Sequence, residues 1–198
     1  MKKIILSLGL LAGVAGAANA QEARFGVKAG VSLSSATGDD TSTLKNLVGA
    51  NAGVMADFSL SDLISLHPEL LFSQKGAKDE GNGYTGQVRL NYIDVPLLLR
   101  VKADGLFFEA GPQIGFLASR KSEYTFSGIG SGSNTSTDGT RKVDVGYIAG
   151  IGYQLPQGLE FGVRYNGGIS DVADPSTNGH KSRNSVFQFQ VGYLFGGK

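Results

Sequence analysis

The chain has 198 residues, 18 basic against 17 acidic, no cysteine and 30 glycines. The absent cysteines exclude a disulfide scaffold and a thiolate metal centre, and the near-neutral charge leaves no basic stripe for nucleic acid. Glycine stands well above its usual share of about 7%, and it recurs inside apolar/polar alternating segments.

The first twenty residues read as a secretory leader. Lys2 and Lys3 supply a positive start, residues 4–14 an apolar stretch, and Ala18-Asn19-Ala20 a small-residue cleavage site. The apolar run is shorter than the roughly 20 residues a membrane-spanning helix needs. The expected division is a cleaved leader at 1–20 and one domain at 21–198. Loss of the two leader lysines from 18 basic residues against 17 acidic leaves the mature chain one unit negative.

Eight strands follow: about 24–34, 48–60, 64–76, 87–101, 106–119, 143–155, 159–169 and 185–195. In the first, Phe25, Val27, Ala29, Val31 and Leu33 alternate with Arg24, Gly26, Lys28, Gly30 and Ser32. In the last, Phe187, Phe189, Val191, Tyr193 and Phe195 alternate with Gln188, Gln190 and Gly192. Successive strand side chains point to opposite faces, so each segment has one apolar and one polar side. Many exceed the usual five or six residues and match the roughly 9–11 tilted residues that cross a bilayer.

Tight turns at 61–63, 102–105 and 156–158 alternate with long polar connections at 35–46, 77–86, 120–142 and 170–184. All short turns then fall at one end of a barrel and all long loops at the other, as in outer-membrane barrels. Pro68, Pro96 and Pro112 lie inside strands, where proline removes a ladder donor, so bulges are expected near them. In the fourth strand Val88 and Leu90 share one parity and Ile93, Val95, Leu97 and Leu99 the other, which predicts an extra residue near 91–93.

A soluble barrel with its apolar face inward alternates in the same way. Three features favour the lipid arrangement. The polar face carries Gly111, Gly115, Gly146, Gly150 and Gly152, suited to an eight-stranded interior barely wide enough for side chains. Its charges nearly balance: Arg24, Lys28, Lys75, Arg100 and Arg164 against Asp57, Glu69, Asp94, Glu109, Asp144 and Glu160, as confinement requires. Tyr147, Tyr153, Tyr165 and Tyr193 join phenylalanines on the apolar face, where interfacial aromatic girdles belong.

The stretches Phe25-Gly26-Val27-Lys28-Ala29-Gly30, Tyr92-Ile93-Asp94-Val95-Pro96-Leu97-Leu98-Leu99-Arg100 and Gly111-Pro112-Gln113-Ile114-Gly115-Phe116-Leu117 carry a resemblance. So do Gly150-Ile151-Gly152-Tyr153, Gly162-Val163-Arg164-Tyr165 and the ending Val186-Phe187-Gln188 to Gly192-Tyr193-Leu194-Phe195. In that order and spacing the chain resembles the small outer-membrane β-barrels of Gram-negative bacteria known as the porin family. The resemblance covers the mature chain and implies an all-β, eight-stranded, antiparallel up-and-down transmembrane barrel in the outer membrane. It also implies insertion by the barrel-assembly machinery and contact with lipid and lipopolysaccharide. Gly196-Gly197-Lys198 depart from the terminal aromatic residue on which many such barrels end. The resemblance supplies no catalytic set.

Chemistry-bearing residues are few. His67 and Glu69 share the inward face of the third strand, a structural pair in a charged lumen rather than a catalytic one; His180 lies in the last long loop. No Gly-x-Ser-x-Gly elbow or His-Glu-x-x-His motif occurs, and nothing singles out Ser65, Ser73 or Ser170. Asp39-Asp40, Asp79-Glu80 and Asp171/Asp174 place carboxylates in three loops without calcium-loop spacing. Gly128-Ile129-Gly130-Ser131-Gly132 lacks the Lys-Ser/Thr continuation of a phosphate loop and reads as flexible loop. No catalytic, cofactor or metal site is therefore expected. The expected role is non-enzymatic and monomeric: structure or surface recognition through long extracellular loops over a lumen plugged by paired charges. A narrow channel for ions or small solutes is the alternative, and an outer-membrane enzyme acting on lipid comes third.

Overall fold

A computed structural model describes residues 23–39, 41, 43–81, 83–128, 130–174 and 181–196. The expected leader at 1–20, Asp40, Ile129, His180 and the last two residues lie outside them.

Among the described residues nine strands form: β1 Ala23–Gly38, β2 Leu47–Ser59, β3 Ile64–Gly81, β4 Tyr84–Ala103, β5 Leu106–Phe126, β6 Gly130–Thr135, β7 Val143–Gln154, β8 Leu159–Gly168 and β9 Ser182–Leu194. Eight close an antiparallel ring. The order runs β4-β3-β2-β1-β9-β8-β7-β5, and β5 returns to β4. β6 pairs with β5 alone and extends it beyond the ring. Gly130, Ser131 and Gly132, expected to belong to a flexible loop, therefore enter a strand, because six backbone positions of β5 are free to pair there once β7 has peeled away at Phe116.

The barrel is inside-out. Phe25 is 62% exposed and Arg100 0%, the reverse of a water-soluble fold. Tyr153 and Tyr193 stand toward the short-turn end and Tyr147 and Tyr165 toward the long-loop end, so the aromatic residues form two bands. The Tyr165 ring packs between Tyr147 (6.1 Å) and Phe187 (5.1 Å). Closure leaves no free edge in the ring, the condition for strands to cross hydrocarbon.

The short turns follow local chemistry. Asp104 (φ 50°) and Gly105 (φ 84°) form a two-residue hairpin between the paired Ala103 and Leu106, the left-handed pair that matches strand twist. At the other end β3, β4 and β5 run to 18, 20 and 21 residues and stand above the rest of the barrel.

The proline expectation is overturned. Register runs unbroken past Pro68, Pro96 and Pro112. Each proline leaves a short gap in the ladder toward the preceding strand, while it remains paired with the following one (Pro68 with Leu97, Pro96 with Gln113, Pro112 with Tyr147). One missing donor is absorbed by leaving that side unpaired. The single register shift in the β4–β5 ladder does lie at Asn91/Tyr92, yet the extra residue is Ala118 on β5, between Leu117 and Ser119. β4 itself keeps one parity throughout. Leu90, Tyr92, Asp94, Leu98 and Arg100 are all buried, so Val88 and Leu90 belong to the inward face and need no bulge to turn them outward.

Candidate functional site

Two regions hold the polar chemistry: the lumen, and a vestibule above it at the long-loop end. In the lumen, alternate residues of every ring strand point inward and stack as three connected levels.

Nearest the short turns, Asp57 accepts from Arg24 (2.9 Å) and from Lys102. His67 joins this level to the next, with Nδ1 3.5 Å from Asp57 and Nε2 3.5 Å from Glu69. In the middle, Glu69 takes Lys28 (2.6 Å) and Arg164 (2.8 Å), while Arg100 reaches Glu109 (2.8 Å) and Glu160 (2.7 Å). Three cations meet three carboxylates, and the level is neutral. Phe107 closes the face of the Arg100 guanidinium at 3.9 Å, within cation–π range. Above, Lys75 lies between Asp94 (3.2 Å) and Asp144 (3.4 Å) under the Tyr92 ring. Neutral amides fill the remaining space: Gln190 donates to Asn51 (2.6 Å) and Asn166 to Gln113 (2.6 Å).

Glycine makes this filling possible. A Cβ at Gly150 would lie 2.7 Å from the Arg164 Cβ and 3.3 Å from the Glu109 Cγ. The small residue leaves room for the larger pair beside it.

The sequence-singled residues distribute plainly. His67 and Glu69 do meet, but Glu69 already holds two cations. His67, Glu69 and Glu109 are the trio of described residues with metal-like spacing; Arg100, 3.1 Å from the His67 Nε2, and Lys28 and Arg164 on Glu69 compete with any ion there. Ser65 and Ser73 are buried, in register with Arg100 and Tyr92. Ser170 donates to Asp144 (2.8 Å). None of the three has an imidazole partner among the described residues. The loop acids point to separate partners: Asp39 accepts from the Lys181 amide (3.3 Å), Glu80 from Lys45 and Lys78, and Asp171 from Arg183 (3.4 Å). The hydrogen bonds from Lys45 and Lys78 push the Glu80 carboxyl down to about 2. Lys121 and Gln87 likewise lower Glu123. Both lie on the strand extensions beyond the apolar belt.

The vestibule was not marked in the sequence. It is a cavity of about 400 Å³ whose deep wall includes Leu90 and Asn184 and whose sides carry Val88, Tyr124 and Arg120. The Ala118 bulge creates it. Below the bulge the odd residues of β5 face the lumen, as at Phe107, Glu109 and Gln113; above it the even ones pair with inward residues of β4, Arg120 with Leu90 and Ser122 with Val88. Bulges re-aim side chains in this way. The aromatic even residues Tyr124 and Phe126, after odd inward residues before 118, were the available signal.

The family described as outer membrane protein beta-barrel domain matches residues 19–174. The chain belongs to that family. No curated protein matches the chain. Among solved structures, the outer-membrane barrel is similar to Neisserial surface protein A at 16% identity, with 88% of this chain and 99% of that chain covered and a TM-score of 0.54. It is also similar to Ail, the attachment invasion locus protein of Yersinia pestis, at 15% identity with the same coverage and a TM-score of 0.50. At such identity the likeness shows the fold, an eight-stranded ring with an added hairpin strand in this outer-membrane barrel.

Proposed function

We propose that this outer-membrane barrel is a closed, non-enzymatic monomer that acts through its long-loop end, as a structural component with a recognition surface turned away from the cell. The leader at 1–20 would direct export, the barrel-assembly machinery insertion, and membrane lipid and lipopolysaccharide would surround the apolar belt. The observation that carries this reading is the lumen filling. Arg100, Lys75, His67 and Glu69 have 0–4% exposure, and Arg100, Lys75 and Glu69 each hold a partner on a strand that shares no ladder with their own. An eight-stranded barrel has room for side chains or one small ligand, in contrast to wider porins. Here the room is taken. Long loops on a rigid scaffold are where variable recognition resides.

Single-channel recording of the refolded barrel in a planar bilayer tests the reading. Folded protein that gives no discrete steps supports it. Reproducible conductance steps that change with Arg100→Ala would replace it with a narrow channel.

A further inference from the structure

We propose that the vestibule is a binding site for a small anionic amphiphile, with its acid group held by Arg120 and its alkyl part against Leu90, Val88 and Tyr124. The inference rests on the closed-lumen reading in one respect: the filled lumen gives the cavity a floor.

Four observations converge. The cavity, at about 400 Å³, lies in the range of small-molecule sites, which are largely apolar with few oriented polar groups. Its inner wall is apolar where a solvent-filled loop region has no need to be: Val88 and Leu90 on β4, Leu44 from the first loop, and Val172 and Ala173 on the facing side. Leu90, 3% exposed, lies directly above the Lys75–Tyr92 level and marks the bottom.

Arg120 is the third. It pairs in register with Leu90, the deepest apolar position. Its Nη1 donates to the Asp138 carbonyl (3.2 Å) and the Thr140 hydroxyl (3.2 Å), both neutral. Among the described residues it has no carboxylate partner, whereas Arg24, Arg100, Arg164 and Arg183 each have one. A partly buried guanidinium fixed by neutral acceptors keeps its fork available for an acid.

The fourth is the placement of the carboxylates. Asp79 and Glu123 also border the cavity, but they pair with Gly86 and Gln87, nearer the mouth than Leu90. Glu123 is held by Lys121 at 2.7 Å. Among the residues that line the cavity, positive charge is therefore deep and negative charge shallow, which favours a ligand that enters with its acid group toward Arg120. The Thr140 hydroxyl that accepts from the guanidinium is itself buried, at 4% exposure.

The test uses the full barrel in lipid nanodiscs, with octanoate as probe and empty nanodiscs as the partition baseline. The expected result is saturable one-to-one binding above the baseline. Arg120→Gln should weaken it about tenfold or more, in line with loss of a hydrogen bond to a charged group, and octanol should bind correspondingly worse than octanoate. Val88→Trp, which fills the cavity and leaves the charge, should abolish binding, with heat-modifiable gel mobility reporting that each variant is folded. Binding no greater than to empty nanodiscs, equal affinity for octanol, or indifference to both substitutions would overturn the proposal. Conductance recorded on the same preparation keeps the two readings apart. Silent bilayers without octanoate binding overturn the vestibule site alone; conductance steps with octanoate binding overturn the closed lumen alone.

Discussion

Arg100 on β4 and Glu160 on β8 meet at 2.7 Å across the barrel, although their strands share no ladder. Arg100 also holds Glu109 on the neighbouring β5, so one guanidinium ties the wall to its opposite side. Both ends of the pair are buried, where their attraction is strong and their desolvation expensive.

Removal of one partner should therefore cost more than the pair contributes. Arg100→Ala leaves Glu109 and Glu160 only their longer contacts to Arg164 (3.8 Å) and Lys28 (3.7 Å), and should destabilise the barrel by ~3–5 kcal/mol. Urea unfolding followed by tryptic protection or gel mobility measures it. Arg100→Met with Glu160→Gln should recover much of the loss, because two cations, Lys28 and Arg164, then meet two carboxylates, Glu69 and Glu109, and the level stays neutral; a double variant as weak as Arg100→Ala would show that the lost packing on Phe107, not the charge, matters.

Gly150→Val tests the space-filling argument. The new side chain must displace Arg164 or Glu109, and overpacking of this kind costs ~1–3 kcal/mol. The prediction is a lower unfolding midpoint together with weakened coupling between Arg164 and Glu69 in a double-mutant cycle. An unchanged midpoint would mean that the lumen has slack there.

The bulge makes a third prediction. Deletion of Ala118 removes the extra residue but keeps Ser122 opposite Val88. A disulfide engineered through Val88→Cys and Ser122→Cys should form in the parent chain and in the deletion variant alike. Deletion of Lys121 instead should prevent it, since one residue is then missing from the paired segment and the parity changes. Thiol titration of the oxidised proteins distinguishes these outcomes.

At the strand tips, Glu80 supplies the pH dependence. Its carboxyl is pushed down to about 2 by hydrogen bonds from Lys45 and Lys78, below an ordinary glutamate near 4.3. The folded form binds its proton more weakly than the unfolded form. The contribution is thus fully present above about pH 4.3 and disappears as the pH falls toward 2. Carboxyl-detected NMR should find Glu80 titrating in that low range in the parent, and at the ordinary value once Lys45 and Lys78 are both changed to Ala.

Much of the barrel was legible because the period of two is so regular. Lys28, Glu69, Arg100, Glu109, Glu160 and Arg164 all share an inward parity that could be counted from the chain. Parity says which face a residue takes, but not which strand lies opposite, so the Arg100–Glu160 and Arg164–Glu69 contacts across the barrel could not be assigned. Lys102 was missed for another reason. It occupies a turn-end position that belongs to neither face in a simple count, and it reaches Asp57 with its long stem. The Gly-Ser run of β6 has no strand propensity of its own; pairing with β5 makes it a strand. Leu90 was read as an outward residue because the lumen face was expected to be polar, and Arg120 was placed in a loop because the fifth strand was expected to end near 119.

The charge levels also bear on how such a barrel is assembled. Their partners are separated by 41 residues for Lys28 and Glu69, 60 for Arg100 and Glu160, and 95 for Arg164 and Glu69. No hairpin of the nascent chain contains both halves of these contacts. Until β9 closes against β1, a partial sheet would expose unmatched ammonium, guanidinium and carboxylate groups to the hydrocarbon. Entry into lipid and closure of the ring are thus coupled into one cooperative event, with long loop-closure entropy before any reward. The same residues that block the lumen in the finished protein penalise every half-built version of it.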